Sequence, residues 1–166
     1  MKRTQMKQLS EHGPCFVCGT ENPHSMGVTW YARGDGAVVS EIVFTRAQQG
    51  PPGHVHGGAS AAVLDEAMGA AVWEAGFKAL AVNLTVDYRR PLPLGQPVFV
   101  EARLVSREGR PIRAQGEIQL GDGTVAVVGR GTFIKAPHLL EQFEALAQQE
   151  GAQWTEKPLF IWKYEC

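Results

Sequence analysis

One stretch, apolar on every side when read as a helix, governs what this chain can fold into. Within residues 57–73, Ala59, Ala61, Ala62, Val63, Leu64, Ala67, Met68, Ala70, Ala71, Val72 and Trp73 cover nearly the whole helical circumference. A helix apolar all round is a buried one, and a run rich in Ala without Pro has the local propensity to form it. Two adjacent carboxylates, Asp65 and Glu66, interrupt it. Burial of a charge without a partner is expensive and ends in a shifted pKa, a hydrogen-bonded partner or a cleft, so the pair is a candidate for chemistry. The plainer alternative is that the helix has one wet edge, on which both acids and Glu74 face water.

The entry to the helix favours chemistry. His56-Gly57-Gly58 follows the loop Gly50-Pro51-Pro52-Gly53, and two glycines at a helix start leave backbone N–H groups bare at the positive end of the macrodipole. Such a terminus can hold a developing oxyanion. Asp65 lies eight residues beyond Gly57, which at 1.5 Å per residue is about 12 Å along the axis. Donor and acid on one helix therefore cannot both touch one reacting carbonyl. If they cooperate, they come from two chains, with antiparallel copies of the helix side by side across a two-fold axis.

Around this helix the pattern is that of strands. Residues 28–31 and 37–45 read as the first two, joined at Arg33-Gly34-Asp35-Gly36, and the second is expected to be covered on much of both faces. Residues 80–88, 98–106, 112–120 and 125–134 are runs of β-branched and aromatic residues separated by turn signals, which predicts a four-strand antiparallel meander. One buried helix and long strands suit an α+β sheet curled around the helix. Residues 138–149 read as a surface helix with Leu139, Leu140, Phe143 and Leu146 on one face. The aromatic tail after Gly151 is expected to pack on its own sheet or on another subunit.

Chain length suits one domain, and a net charge of -1 without a basic run lacks the footprint of nucleic-acid binding. Residues 1–10 carry no apolar segment of the signal-peptide kind, and no stretch reaches the length of a membrane span, so a cytoplasmic protein is expected. Three cysteines argue for reduced thiols. Cys15-Phe16-Val17-Cys18-Gly19, with His12 and His24 nearby, could form a zinc site of two thiolates and two imidazoles. A lone CxxC lacks the second pair that makes such motifs specific, so the reading adopted is of thiols packed as small apolar groups, with no metal. His54 and His56, two apart, lack the further ligands a metal needs. Ser60, between Ala59 and Ala61, is not a nucleophile elbow.

His56-Gly57-Gly58, then Asp65-Glu66-Ala67-Met68-Gly69, then residues 82–92 with Tyr88-Arg89-Arg90-Pro91 resemble the hotdog-fold acyl-CoA thioesterases of the phenylacetate-pathway and mammalian thioesterase-superfamily type. The likeness runs over about residues 15–133. It implies a hotdog fold, an antiparallel sheet wrapped around one long central helix, with two protomers joining sheets edge to edge in a homodimer and the dimers pairing again. It also implies an acid at Asp65 and an oxyanion donor at the Gly57 amide of the neighbouring subunit, with His56 at the same terminus. Gly58, Gln49, Asn83, Thr85, Arg89 and Arg90 are the candidate substrate-binding residues. No cofactor is expected, and the substrate would be an acyl-CoA thioester. Two positions depart from the family pattern: Gly50 stands where some relatives carry a polar side chain, with Gln49 adjacent, and Ala81 where some carry a hydroxyl. The expected organisation is a tail at 1–14, the hotdog domain at 15–136 and a C-terminal helix and aromatic tail at 137–166. A non-catalytic module that binds acyl-CoA is the alternative, and a buried acid argues against it.

Overall fold

A computed structural model describes residues 6–10 and 12–149. Seven strands form one antiparallel sheet: β1 (Met6–Gln8), β2 (Tyr31–Arg33), β3 (Val38–Val43), β4 (Ala79–Tyr88), β5 (Pro97–Ser106), β6 (Ile112–Gln119) and β7 (Val125–Lys135). Their order across the sheet is β1-β2-β3-β5-β6-β7-β4. Helix α1 (Gly57–Glu74) packs against β3 to β7, and α2 (Pro137–Gln149) follows the last strand. This is the helix wrapped by a sheet that the hotdog resemblance implies. No described helix is long and apolar enough to cross a membrane.

Helix α1 ends where its backbone chemistry dictates. His56 caps its start, and after Ala75 the chain turns at Gly76, whose φ of 89° suits glycine. Gly76 N–H donates to Trp73 O at 2.8 Å and Phe77 N–H to Val72 O at 3.1 Å, the double bond of a Schellman motif. Leu64 and Met68, fully buried, settle into a cradle of Gly116, Gly129 and Gly131. A Cβ on Gly129 would lie 3.3 Å from Leu64 Cβ, and one on Gly116 would lie 3.1 Å from Leu64 Cδ2. Gly116 and Gly129 face each other in register on β6 and β7, so the sheet is thinned where the helix presses closest.

Five expectations are corrected. The all-apolar helix is not buried all round: Gly58 and Asp65 are exposed and Ala61, Ala62, Glu66 and Gly69 half-exposed, forming an open edge. Small Ala and Gly side chains count as apolar in a sequence pattern, but among the described residues no other element covers this edge. The four C-terminal strands are not a simple meander, since β4 pairs with β7 and β5 pairs with β3. Strand β3 alternates buried and exposed residues, with Val43 52% exposed, rather than being covered on both faces. The first strand expected at 28–31 begins at Tyr31, because Val28 N–H donates to Val17 O and Trp30 O accepts from Leu9 N–H, both loop contacts. Strand β1 falls inside the segment expected to be a tail. Of the apolar positions on α2, Leu140 is buried while Leu139, Phe143 and Leu146 are exposed. The aromatic tail lies outside the described residues.

Candidate active site

The start of α1 is built from a folded loop. Thr45 and Gln48 form a capping box around the 3-10 turn Arg46–Gln48. His56 N–H then donates to Gln48 O at 2.8 Å and Val55 N–H to Leu92 O at 3.0 Å. A Cβ on Gly50 would lie 2.8 Å from His56 Cα. The close backbone crossing thus accounts for glycine at position 50. His56 Nδ1 accepts from Gly58 N–H at 2.9 Å, and His56 O from Ala59 N–H at 2.9 Å and Ser60 N–H at 3.4 Å. The capping turn therefore uses Gly58, which corrects the expectation of two bare glycine amides, and among the described residues it leaves Gly57 N–H unclaimed. Tyr88, which the sequence reading did not single out as a site residue, donates its hydroxyl to Gly57 O at 3.0 Å. The Tyr88-Arg89-Arg90-Pro91 motif carried the signal for it.

Asp65 and Glu66 part company, as adjacent helical residues set about 100° apart must. Asp65 opens on a cleft of about 380 Å³ with His12, Cys15, Trp73, Leu80 and Phe133 among its walls. The residue is exposed on its outer side, while desolvation by the walls, then the charge of Glu66, raises its pKa above the ordinary carboxylate value. Glu66 turns instead toward the loop at 12–19. Its Oε1 lies 3.0 Å from His12 Nδ1, 3.2 Å from Cys18 Sγ and 3.8 Å from Cys15 Sγ. The two thiols thus meet polar partners as well as packing with the core, Cys18 buried in it and Cys15 against it, and a donor set His12, Cys15, Cys18 and Glu66 assembles where no metal site was assigned. Exposed His24, the other imidazole weighed from sequence, is outside that set. Burial alone would lower His12, but hydrogen bonds to Cys15 and Glu66 and their charges lift it to about 9. The Cys18 thiol beside Cys15, then His12 and the backbone N–H groups, hold Cys15 down to about 3 against burial. Its bond to Cys15, burial and the Glu66 charge push Cys18 up.

Within one chain the expected site residues fall in separate places. Gly57, Arg89 and Arg90 line a second cleft of about 340 Å³ with Tyr88. Gln49, His56 and Gly58 line a third of about 580 Å³. Asn83 and Thr85 sit exposed on β4, their side chains 3.4 Å apart, and a register shift between Ala81 and Asn83 separates them from Ala81, which does line the Asp65 cleft.

Comparison with known proteins agrees with the fold. Residues 52–127, which include α1 and the last residues of its entry loop, match the thioesterase superfamily. The acyl-coenzyme A thioesterase THEM4 of Xenopus laevis is 38% identical over 78 residues, covering 46% of this chain and 35% of that protein. The chain therefore spans little more than a third of that relative's length. Among solved structures, the thioesterase superfamily protein RHA08564 superposes with a TM-score of 0.72 at 38% identity, covering 74% of this chain and 60% of that one. The E. coli PaaI protein of the phenylacetic acid degradation operon shares the fold with a TM-score of 0.57 at 22% identity, covering 60% of this chain and 76% of that one.

Proposed function

We propose that this chain, whose residues 52–127 carry the thioesterase-superfamily pattern on a hotdog fold, hydrolyses acyl-CoA thioesters in a homodimer. One observation carries the reading: a carboxylate with a raised pKa, Asp65, stands on the uncovered edge of α1, and an unclaimed amide, Gly57 N–H, opens the same helix. The two are about 12 Å apart along the axis, so each needs a counterpart that the described residues of its own chain do not supply. Strand β4 points to where the counterpart comes from. It ends the sheet, with no further strand beside it among the described residues, is ten residues long, and has Val82 55% and Tyr88 57% exposed. A long apolar edge of this kind is a template for pairing, and pairing of β4 with its symmetry mate would lay the bare edges of two α1 helices together.

In that arrangement the Gly57 amide of one protomer polarises the thioester carbonyl, and Asp65 of the other deprotonates a water or attacks the carbonyl itself. Arg89 and Arg90, exposed beside Gly57, would meet the phosphates of coenzyme A, with His56 capping the donor turn. Pairing of dimers into a tetramer is part of the same proposal. The test is turnover of a panel of short, long and aromatic acyl-CoA substrates by the purified chain, with thiol release as the readout. Release from at least one substrate class is expected. Tight binding of the panel with no thiol released would overturn hydrolysis in favour of a non-catalytic acyl-CoA module.

A further inference from the structure

The thioesterase reading leaves Glu66 and the Cys15–Cys18 loop without a task. We propose that His12 Nδ1, Cys15 Sγ, Cys18 Sγ and Glu66 Oε1 form a structural site for a tetrahedral divalent metal of the zinc class, clipping the N-terminal loop to α1.

The four donor atoms all lie within 4.8 Å of one another. Four of the six separations are 3.0 Å for His12 to Glu66, 3.2 Å for His12 to Cys18, 3.2 Å for Cys18 to Glu66 and 3.8 Å for Cys15 to Glu66, and the other two, Cys15 to His12 and to Cys18, are no more than 4.8 Å. Zinc bonds of about 2.0 Å to N or O and about 2.3 Å to S, set tetrahedrally, require donor separations of about 3.3 to 3.8 Å. The first four separations lie within about 0.5 Å of that geometry, and rotation of the Cys15 side chain about its χ1 can bring its sulfur into it. Hydrogen bonding alone fits it less well, since Glu66 Oε1 and Cys18 Sγ both approach the single hydrogen that Nδ1 can carry, and Oε1 faces both sulfurs as well. A central cation satisfies all four lone-pair donors at once.

The loop is wound as a sulfur site requires. Val17 N–H and Cys18 N–H point at Cys15 Sγ at 3.3 and 3.5 Å, bonds that favour a thiolate. Cys15 N–H donates to His12 O and Gly19 N–H to Cys15 O, both at 3.0 Å. A Cβ on Gly19 would lie 2.2 Å from Gly13 O, so the turn closes this tightly only with glycine after the second cysteine. Two thiolates, one imidazole and one carboxylate select zinc over magnesium or calcium, and four protein ligands leave no position open for substrate, which marks a structural site. Its mechanical effect is specific. Cys18 and Glu66 are 48 residues apart in sequence, and His12, Pro14 and Cys15 of the clipped loop wall the cleft of Asp65.

The experiment reads metal rather than turnover, so its result stands apart from the thioesterase reading. The full chain is purified under reducing conditions without chelator and its metal measured by inductively coupled plasma mass spectrometry. About one zinc per chain is expected, retained in Cys166→Ser and His24→Ala and lost in Cys15→Ser, Cys18→Ser and Glu66→Gln. Because a variant that loses metal could also lose its fold, the wild-type chain is stripped, shown folded by circular dichroism and titrated with cobalt. Intense visible bands of tetrahedral cobalt with thiolate charge transfer, displaced by one equivalent of zinc, support the site. A folded, reduced wild-type chain that holds no zinc and develops no such spectrum overturns it, as does full zinc retention in the Cys15→Ser/Cys18→Ser double variant.

Discussion

Asp65 carries the chemistry proposed for the chain, and its environment sets both a rate and a stability. Asp65→Asn keeps the shape of the side chain and removes the base, so kcat should fall by about a hundredfold or more while the fold persists. Desolvation, with the Glu66 charge behind it, raises the Asp65 pKa. The acidic limb of the kcat/KM profile of the wild-type chain should accordingly lie above the ordinary carboxylate range. A folded-state pKa above the unfolded one means that the folded chain holds the proton more tightly. This group therefore favours folding at low pH, and the contribution is lost as pH rises through the folded pKa. Thermal melts should show Asp65→Asn more stable than wild type at pH 7, with the gap closing toward pH 4. A variant that is less stable at neutral pH would show that Asp65 is not strained, and one as active as wild type that it is not catalytic.

At the scale of elements, what is local in sequence was legible and what is long-range was not. Helix α1 was readable because Ala-rich composition, His56 and Gly76 all act within a few residues, and the four long strands because their alternation is local. Pairing of β4 with β7 was not readable. No residue in 80–88 names its partner, and the turn residues 91–95 look like those of any hairpin. The same limit hid the third anionic ligand of the cysteine cluster, since Glu66 reaches Cys18 only after the chain has folded. The glycines of β6 and β7 read as weak strand residues and prove to be where Leu64 and Met68 fit. Gly129→Val should therefore overpack the cradle at a cost of about 1–3 kcal/mol. For a chain of this size that lowers the melting temperature by about 2–4 °C per kcal/mol. Gly123→Asn is the control, at a left-handed turn position with φ of 84° and open space around it. Asn tolerates that conformation, so the melt should barely move.

In the proposed dimer each molecule contributes two half-sites, and this can be tested by trading halves. If the oxyanion donor and the acid of each site come from opposite chains, an Asp65→Asn protomer retains a good donor end and a Gly57→Pro protomer a good acid. Proline deletes the N–H at a first helical position that otherwise tolerates it. The Tyr88 ring must yield a little, because a Cβ at Gly57 lies 3.2 Å from it, so circular dichroism has to show that this variant folds. Each homodimer should be inactive. Co-expressed heterodimers carry one site assembled from the two intact ends, and random pairing should restore about a quarter of wild-type activity, because half of the dimers are mixed and each has one working site of two. Separately tagged protomers, isolated by sequential affinity steps, should reach about half of wild-type activity per dimer. If such verified and folded heterodimers stay inactive, the acid and the donor do not meet across a two-fold axis, and the unpaired β4 edge must serve some other contact.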